Sequence, residues 1–377
     1  MKVWFIILVL CSVWFSGVEC KGAQTSTEDW QQWEVYTSLD DVDRVLSKES
    51  HFSIKEYVTQ IMEGQAAFSW HDLAAYVKEG VADQWSKEQS TLFRILALGI
   101  MAGIFAHFSG AFGNENIGGT GSYIVFLLMF SIVTKGFLDV FSVAKNTLDQ
   151  LVEFMKVIVP SLSLALCAGT STTGSVLYYQ AMLMAISVLE GVLLNILLPG
   201  VQIYFYMGIL NQLSDNHFSK LWELTGRVLA MAAKVLFGIL IGYQGIQGML
   251  LPVMDRVKNN ALLQSAKGLP GVGNSVESVA DTFYAVGLLV KSALGIGGVI
   301  AIVLLCLYPL IRILVFTFTY HLAEAFVQPV SSGRAVALLQ VCSESGKLLG
   351  KFVLGGALMF MLSIVILLAC TNFLGGI

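Results

Sequence analysis

Charged residues are scarce in this chain. They make up 13% of its 377 residues, while hydrophobic residues make up 56% and the mean hydropathy is +0.73. Ordinary globular domains have about 25% charged and about 45–50% apolar residues. From residue 92 to the C-terminus the sequence is almost entirely apolar, broken only by short polar connections. This composition excludes a soluble enzyme of this length and predicts an all-α, polytopic membrane protein.

Cysteines are few and follow no pattern. Two of the six lie in the first 20 residues, at Cys11 and Cys20. No CxxC or Cys/His spacing occurs, which excludes a disulfide framework and predicts no metal site. We expect the remaining four to be small packing residues in apolar surroundings: Cys167, Cys306, Cys342 and Cys370.

Catalytic motifs are missing as well. The sequence has no Walker loop, no GxSxG elbow and no HExxH helix. The glycines at 169 and 174 enclose a T-S-T-T run that resembles a phosphate loop, but the lysine and the preceding strand are absent. No aspartate pair or Ser/His pair sits at matched depths for an intramembrane protease. The sequence therefore predicts a protein that is not an enzyme and needs no cofactor.

Residues 1–20 have the composition of a signal peptide. Lys2 supplies the positive start, and residues 3–15 form an apolar stretch of about a dozen residues, too short to cross a bilayer comfortably. Cleavage would follow Cys20. Two alternatives remain open: a lipoprotein signal at Cys20, which Glu19 disfavours, and an uncleaved anchor.

Residues 21–90 form an acidic head, which we expect outside the cytoplasm. They carry 6 Lys and Arg against 13 Asp and Glu, a net charge of −7, whereas residues 91–377 have a net charge of +3. The acidity argues against nucleic acid or anionic lipid as the partner of the head, because both need basic surface. Capping boxes at Ser53/Glu56 and Ser69/Asp72 predict two short amphipathic helices in it.

Residues 91–377 form the predicted membrane domain. About 20 apolar residues cross a hydrocarbon core, and seven such spans can be placed. The pieces at 201–210 and 276–289 are too short to cross alone and are expected to be re-entrant or interfacial. The predicted spans are 92–112, 121–141, 154–169 (interrupted by Pro160), 176–198, 228–251, 293–320 and 348–374.

Seven crossings from an exported head put the C-terminus in the cytoplasm. The connection after the fifth span then lies in the cytoplasm too. It carries Arg256, Lys258, Lys267 and Lys291, as the positive-inside rule expects. An eighth crossing would reverse the C-terminal part.

Charges inside the spans are the first candidates for function, because each costs about 2.5–3.5 kcal/mol at mid-span. Glu190 lies near the middle of an apolar stretch, and we expect it to face inward, paired with Lys234 or Lys135. Lys135 and Asp139 are four residues apart and can neutralise each other on one helix face. A charge pair that only fixes helix packing explains Glu190 equally well.

Glycines in the fifth span are candidates for helix packing. Small residues on one helix face let another backbone approach closely. Gln244 and Gln247 lie beside this face and are expected to hydrogen-bond across the contact. Plain helix–helix packing is favoured over a ligand or pore surface. The glycines are Gly238, Gly242, Gly245 and Gly248, and a second pair, Gly99 and Gly103, marks the first span.

A longer ordered pattern resembles a known family. Its pieces are specific in combination and extend over most of the chain. They are V-A-K at 143–145, F-M at 154–155, V-P at 159–160, G-L-P-G-V-G at 268–273, D-T at 281–282, L-L-V-K-S-A-L-G at 288–295, Y-P-L-I-R-I-L at 308–314 and Q-P at 328–329. The sequence is similar to the stage III sporulation protein AE family.

The resemblance implies a subunit of the complex that links mother cell and forespore in endospore-forming bacteria. It places the chain in the mother-cell membrane around the forespore. The implied partners are a secretion-type ATPase, ring-forming proteins, small membrane subunits of the same operon and a forespore-side protein. The family has no established substrate or catalytic residues, so none is transferred to this sequence.

The sequence thus predicts a non-enzymatic membrane component of a channel or feeding apparatus. The acidic head would dock ring proteins, and the helical bundle would form or support the conduit, as one chain or as a homo-oligomer. The alternative is a self-sufficient secondary transporter with Glu190 as its proton- or ion-coupled site. The sequence shows no convincing internal repeat to support that alternative.

Overall fold

The structure is a computed structural model that describes residues 70–112, 115–169, 172–214, 217–266, 273–331 and 333–372. Every regular element in these ranges is helical, which confirms the predicted all-α class. The predicted signal, most of the acidic head and its helix after Ser53 lie outside the described residues. So does the G-L-P-G-V part of the family pattern at 268–272.

The helices follow one another with short connections. Helix α3, a π-helical segment and helix α4 continue without a break and form one rod. The elements are α1 (Trp70–Phe112), α2 (Glu115–Gly169), α3 (Thr172–Val188), the π segment (Leu189–Leu197), α4 (Leu198–Leu213), α5 (Ser219–Ala266), α6 (Gly273–Val327) and α7 (Gly333–Asn372).

Six helical stretches of the described chain are long and apolar enough to cross a membrane, so the expected number of seven is wrong. The predicted second and third spans are one helix, the 55-residue α2. The polar residues 142–153 between them contain neither Gly nor Pro, so nothing ends the helix there. The spans are Val77–Phe105, Tyr123–Ala165, Tyr178–Leu213, Ser219–Gly248, Ser292–Val327 and Gly333–Leu368.

The short pieces are also parts of longer helices. Residues 201–210 belong to α4 and continue the third span, while residues 276–289 form the N-terminal part of α6. Helix α1 begins at Trp70, directly after the Ser69 capping position, and runs on into the first span. The expected boundary between head and membrane domain, at residues 90 and 91, therefore falls inside α1.

Pro199 accounts for the π segment. Its ring has no N–H and would clash with the carbonyl four residues earlier in a regular α-helix. The preceding turns are wider instead, and the Leu198 N–H donates to the carbonyl of Leu193, five residues back. The rod thus passes the proline without ending, although its helix is altered just where Glu190 lies.

The core lies around α6 and α7, which pack along each other. Helix α6 also contacts α1 and α2, and α7 contacts α2, α4 and α5. Phe137 of α2 stacks on Phe205 of α4 with ring centroids 3.8 Å apart, and both side chains are fully buried. The outer surface is apolar too: Phe93 and Met231 are 68% and 65% exposed. Such a surface suits lipid rather than water.

Close helix packing depends on two glycines of α1 and not on three of the four candidate glycines of α5. A methyl group on Gly99 would come within 2.7 Å of Val327 Cγ2, and one on Gly103 would strike the Val330 carbonyl oxygen. At three α5 positions it would meet nothing within 4 Å: Gly238, Gly242 and Gly245. In the described chain those three glycines pack against no other helix. The helix–helix contact expected at these positions is therefore not formed within one chain.

The opposite face of α5 makes its contacts instead. It is buried against α3, α4, the π segment and α7. Its residues repeat every three or four positions, as a helix face requires. They are Leu229, Ala233, Leu236, Leu240 and Gln244.

We expect Gly103→Ala to destabilise the bundle by about 1–3 kcal/mol, because the added methyl meets a backbone carbonyl that cannot rotate away. Gly238→Ala is the matched control. It should be neutral or stabilising, since Ala favours a helix over Gly by about 0.8–1 kcal/mol. Thermal unfolding of both purified variants in detergent measures the difference. Equal midpoints would contradict the contact between α1 and the chain after α6.

Six crossings also change the expected topology. With an exported head they return the C-terminus to the head's side, where seven crossings put it in the cytoplasm. The basic connection between α5 and α6 then lies on the head's side as well. The positive-inside rule puts that connection in the cytoplasm, so the two criteria for orientation oppose each other.

The relative topology is testable without knowing the absolute orientation. Six crossings between Trp70 and Asn372 predict that a reporter at the C-terminus lies on the same side as one placed before Trp70. A fusion truncated after Ser332, which follows five crossings, should report the opposite side. Paired alkaline phosphatase and green fluorescent protein fusions give the measurement. Opposite sides for the two chain ends would restore an odd number of crossings.

Candidate functional site: the polar face of α2 and the cavity beside it

Helix α2 has one buried face and one polar face. The buried face includes Phe137, Leu148 and Ile158, each fully inaccessible. The opposite side carries residues three or four positions apart, all of them exposed. We call these eight residues the α2 polar face: Lys135, Asp139, Ser142, Lys145, Asn146, Asp149, Glu153 and Lys156.

The α2 polar face lies in the middle of the span Tyr123–Ala165. At 1.5 Å per residue it is about 32 Å long. The charge-free parts of α2 on either side, residues 116–134 and 157–169, cover about 28 and about 20 Å, each less than the ~30 Å hydrocarbon core. A bilayer centred on this span therefore takes in charged residues. Water, opposite charges or another protein surface must then accompany them.

Glu190 meets this face. Its Oε2 lies 2.7 Å from Lys156 Nζ, and the two side chains are 42% and 47% exposed. The expected partners, Lys234 and Lys135, are wrong for the described chain. Lys156 lies inside the predicted span 154–169 but was not considered among the charges inside the spans. Glu190 is also half-exposed, at the junction of the π segment with α2, rather than enclosed in the core.

The other three predicted charges do not gather around Glu190. Lys234 is exposed on α5. Lys135 and Asp139 lie one turn apart on the α2 polar face, but none of the ion pairs within the described ranges joins them. Asp149, which was not predicted, lies within electrostatic reach of Glu190 and Lys145. The α2 polar face therefore carries alternating charges around Glu190.

A cavity of about 470 Å³ lies between α2 and α6, beside the α2 polar face. Asp139, Asn146 and Arg312 bring polar groups to it. Its lining is Asp139, Ser142, Val143, Asn146 and Thr147 from α2 and Leu304, Leu305, Tyr308, Pro309 and Arg312 from α6. Two pieces of the family pattern, at 143–145 and 308–314, thus meet at one cavity although about 165 residues separate them in the sequence.

Helix α1 packs beside the same cavity, although none of its residues is among those that line it. The Gln84 amide donates to the hydroxyl of Tyr308, and Gln84 is buried. Glu88, one turn further along α1, lies within electrostatic reach of Arg312 and Asp139. Helix α1 therefore contacts the cavity lining at Tyr308 and places Glu88 within electrostatic reach of its charged residues.

The two glutamines beside the α5 glycines hydrogen-bond to other helices, although not across a contact made by the glycine face. Gln244 donates from its amide to Ser363 of α7, and Gln247 donates to the carbonyl of Tyr178 on α3 at 3.5 Å. Gly248 is buried and lines the same small gap. These bonds join α5 to two helices and have a packing role.

The α2 polar face and the cavity bring charged and polar side chains of α2 and α6 together. The described residues include no group of three or more His, Cys, Asp and Glu side chains that could hold a metal ion. Cys306 and Cys342 are buried and unbonded to each other. The groups at the α2 polar face are charges, amides and hydroxyls, which suit electrostatic recognition of a solute.

Sequence reasoning missed Lys156, Arg312 and Pro309 as members of the site. A usable signal existed for α2, because polar residues recur at 135, 139, 142, 146, 149, 153 and 156, the spacing of one helix face. No comparable signal in the sequence brings Arg312 to Asp139, since that contact depends on how α2 and α6 pack.

Comparisons with known proteins agree on one family. The family described as Stage III sporulation protein AE matches residues 52–371. A Bacillus subtilis (strain 168) protein named Stage III sporulation protein AE is 24% identical over 281 residues, covering 74% of this chain and 70% of that protein. No solved structure matches the chain. With a family match over residues 52–371, this chain belongs to the stage III sporulation protein AE family.

Proposed function

We propose that this protein is an integral subunit of the channel or feeding apparatus between mother cell and forespore, and that its helical bundle forms or supports the conduit. The α2 polar face carries the proposal. It is an exposed, charged helix face about as long as the hydrocarbon core is thick. An isolated bundle would have to expose these charges to lipid, which is costly. A water-filled path bounded by this face would solvate its charges.

The proposed setting follows from the family. The chain would lie in the mother-cell membrane around the forespore, with the acidic head in the space between the two membranes. Its partners would be the ATPase, ring-forming and small membrane proteins of the same operon, together with a forespore-side protein. The conduit would be enclosed by these partners or by further copies of this chain facing the α2 polar face.

Deleting the gene in its sporulating host tests this role. Forespores imaged after engulfment should be small and should collapse, and late forespore gene expression should stop. Reintroducing the unaltered gene should restore both. Normal spores from the deletion strain would overturn the proposal.

A self-sufficient secondary transporter is the second candidate, because Glu190 lies in a π segment and such segments are frequent at functional sites. Reconstitution separates the two. A transporter accumulates its solute in vesicles that contain this chain alone and a proton gradient. A channel subunit produces no such accumulation without its partners.

Removing the charge of Glu190 distinguishes a path-lining role from a packing role. We expect Glu190→Leu to leave the membrane level of the protein unchanged and to lower the yield of heat-resistant spores at least about tenfold, because the charge that would line the path is lost. Glu344→Leu is the matched control: Glu344 is 43% exposed and pairs with Lys347 at 3.1 Å, on α7 away from the α2 polar face.

Immunoblots of membranes and counts of spores that survive heating give the two readouts. Loss of the Glu190→Leu protein from the membrane would assign Glu190 to packing. Equal sporulation of both variants would remove Glu190 from the path.

A further inference from the structure

The cavity between α2 and α6 presents opposite charges from its two walls. Asp139 belongs to α2 and Arg312 to α6. The ion pairs found in the described part of the chain, such as that of Lys156 with Glu190, include neither side chain. A carboxylate and a guanidinium that share a cavity without bonding to each other are available to a ligand that carries both complementary charges.

A proline adds a third polar group. Pro309 lies inside α6 and has no N–H, so the carbonyl of Leu305 lacks its helical hydrogen bond. Both residues line the cavity. Ser142 donates its hydroxyl to the Asp139 carbonyl at 2.8 Å, which leaves the oxygen of Ser142 as an acceptor. Acceptors for a bound ammonium group thus come from both walls.

We propose that this cavity binds a small zwitterion of the α-amino-acid class. Its carboxylate would lie against Arg312, and its ammonium group against Asp139, Ser142 and the carbonyl of Leu305, which has no N–H at position 309 to bond to. The volume of about 470 Å³ is within the ~300–1,000 Å³ of small-molecule sites. The inference rests on the proposed function and names the class of solute that such a conduit would take.

The two opposite charges, Asp139 and Arg312, explain why the cavity would select a zwitterion over a molecule with a single charge. A simple amine would pair with Asp139 but be repelled by Arg312. A simple carboxylic acid would pair with Arg312 but be repelled by Asp139. A zwitterion satisfies both and leaves neither charge without a partner. Glu88 of α1 lies within electrostatic reach of Arg312 but outside the cavity lining, so it does not occupy the ligand's position.

Binding to the purified full-length protein in lipid nanodiscs tests the inference. The probes are the twenty common L-amino acids, each assayed by its effect on the unfolding temperature. The dissociation constant is then measured for the amino acid with the largest effect and for two analogues, the same molecule without its ammonium group and without its carboxylate. Each analogue should bind at least about tenfold more weakly, because a charge-assisted hydrogen bond is lost.

These ligand comparisons use the unaltered chain and so do not depend on the folding of any variant. Binding of the amine alone as tightly as the amino acid would overturn the zwitterion assignment. An absence of binding for all twenty amino acids would overturn the site.

Two substitutions then locate the site. Asp139→Asn and Arg312→Gln should each weaken binding at least about tenfold. Lys145→Gln is the control, since it neutralises a charge on the α2 polar face outside the cavity lining. Unfolding temperatures without ligand check that the variants fold. Unchanged affinity in both cavity variants would overturn the assignment.

The host separates this inference from the proposed function. Normal sporulation of a strain with Arg312→Gln, when that variant has lost binding in vitro, would overturn the cavity as part of the path and leave the channel role intact. Normal spores after deletion of the whole gene would overturn the channel role whatever the cavity binds. Lost sporulation with normal membrane levels of Arg312→Gln supports both.

Discussion

Charges in the middle of apolar helices are the constraint on which this structure depends. Helix α2 must bury Phe137 and Phe154 in the core and present six charged side chains on its opposite face. A bilayer makes such charges costly unless water or opposite charge accompanies them. The Lys156–Glu190 pair answers part of this requirement, and the cavity beside Asp139 and Arg312 admits polar groups. The remaining exposed charges favour a wet surface along α2.

Two prolines shape the helices around this surface without ending them. Pro199 follows the widened turns in which Glu190 lies, and Pro309 lies in α6 at the cavity. Each proline removes one backbone donor from its helix. Prolines that would break a helix in water are tolerated here because the neighbouring helices hold α4 and α6 in place.

Much of the fold was predictable because membrane helices are encoded locally. A run of about 20 apolar residues predicts a span wherever it occurs, and six spans stand where apolar runs were found. The seventh was wrong because a polar connection was assumed between two apolar runs, while residues 142–153 contain no Gly or Pro to end a helix. The spacing of the α5 glycines does not say whether another helix covers them: three meet no helix in the described chain, while Gly248 is buried.

The sequence by itself determined the class of the protein, its helical spans, its family resemblance and the presence of costly charges at mid-span. Composition and periodicity carry that information, since each depends only on neighbouring residues. Only the tertiary structure decided that Glu190 pairs with Lys156 and that Asp139 and Arg312 share one cavity. Those contacts join residues far apart in the chain, and they depend on the rotation and register of packed helices, which no local pattern specifies.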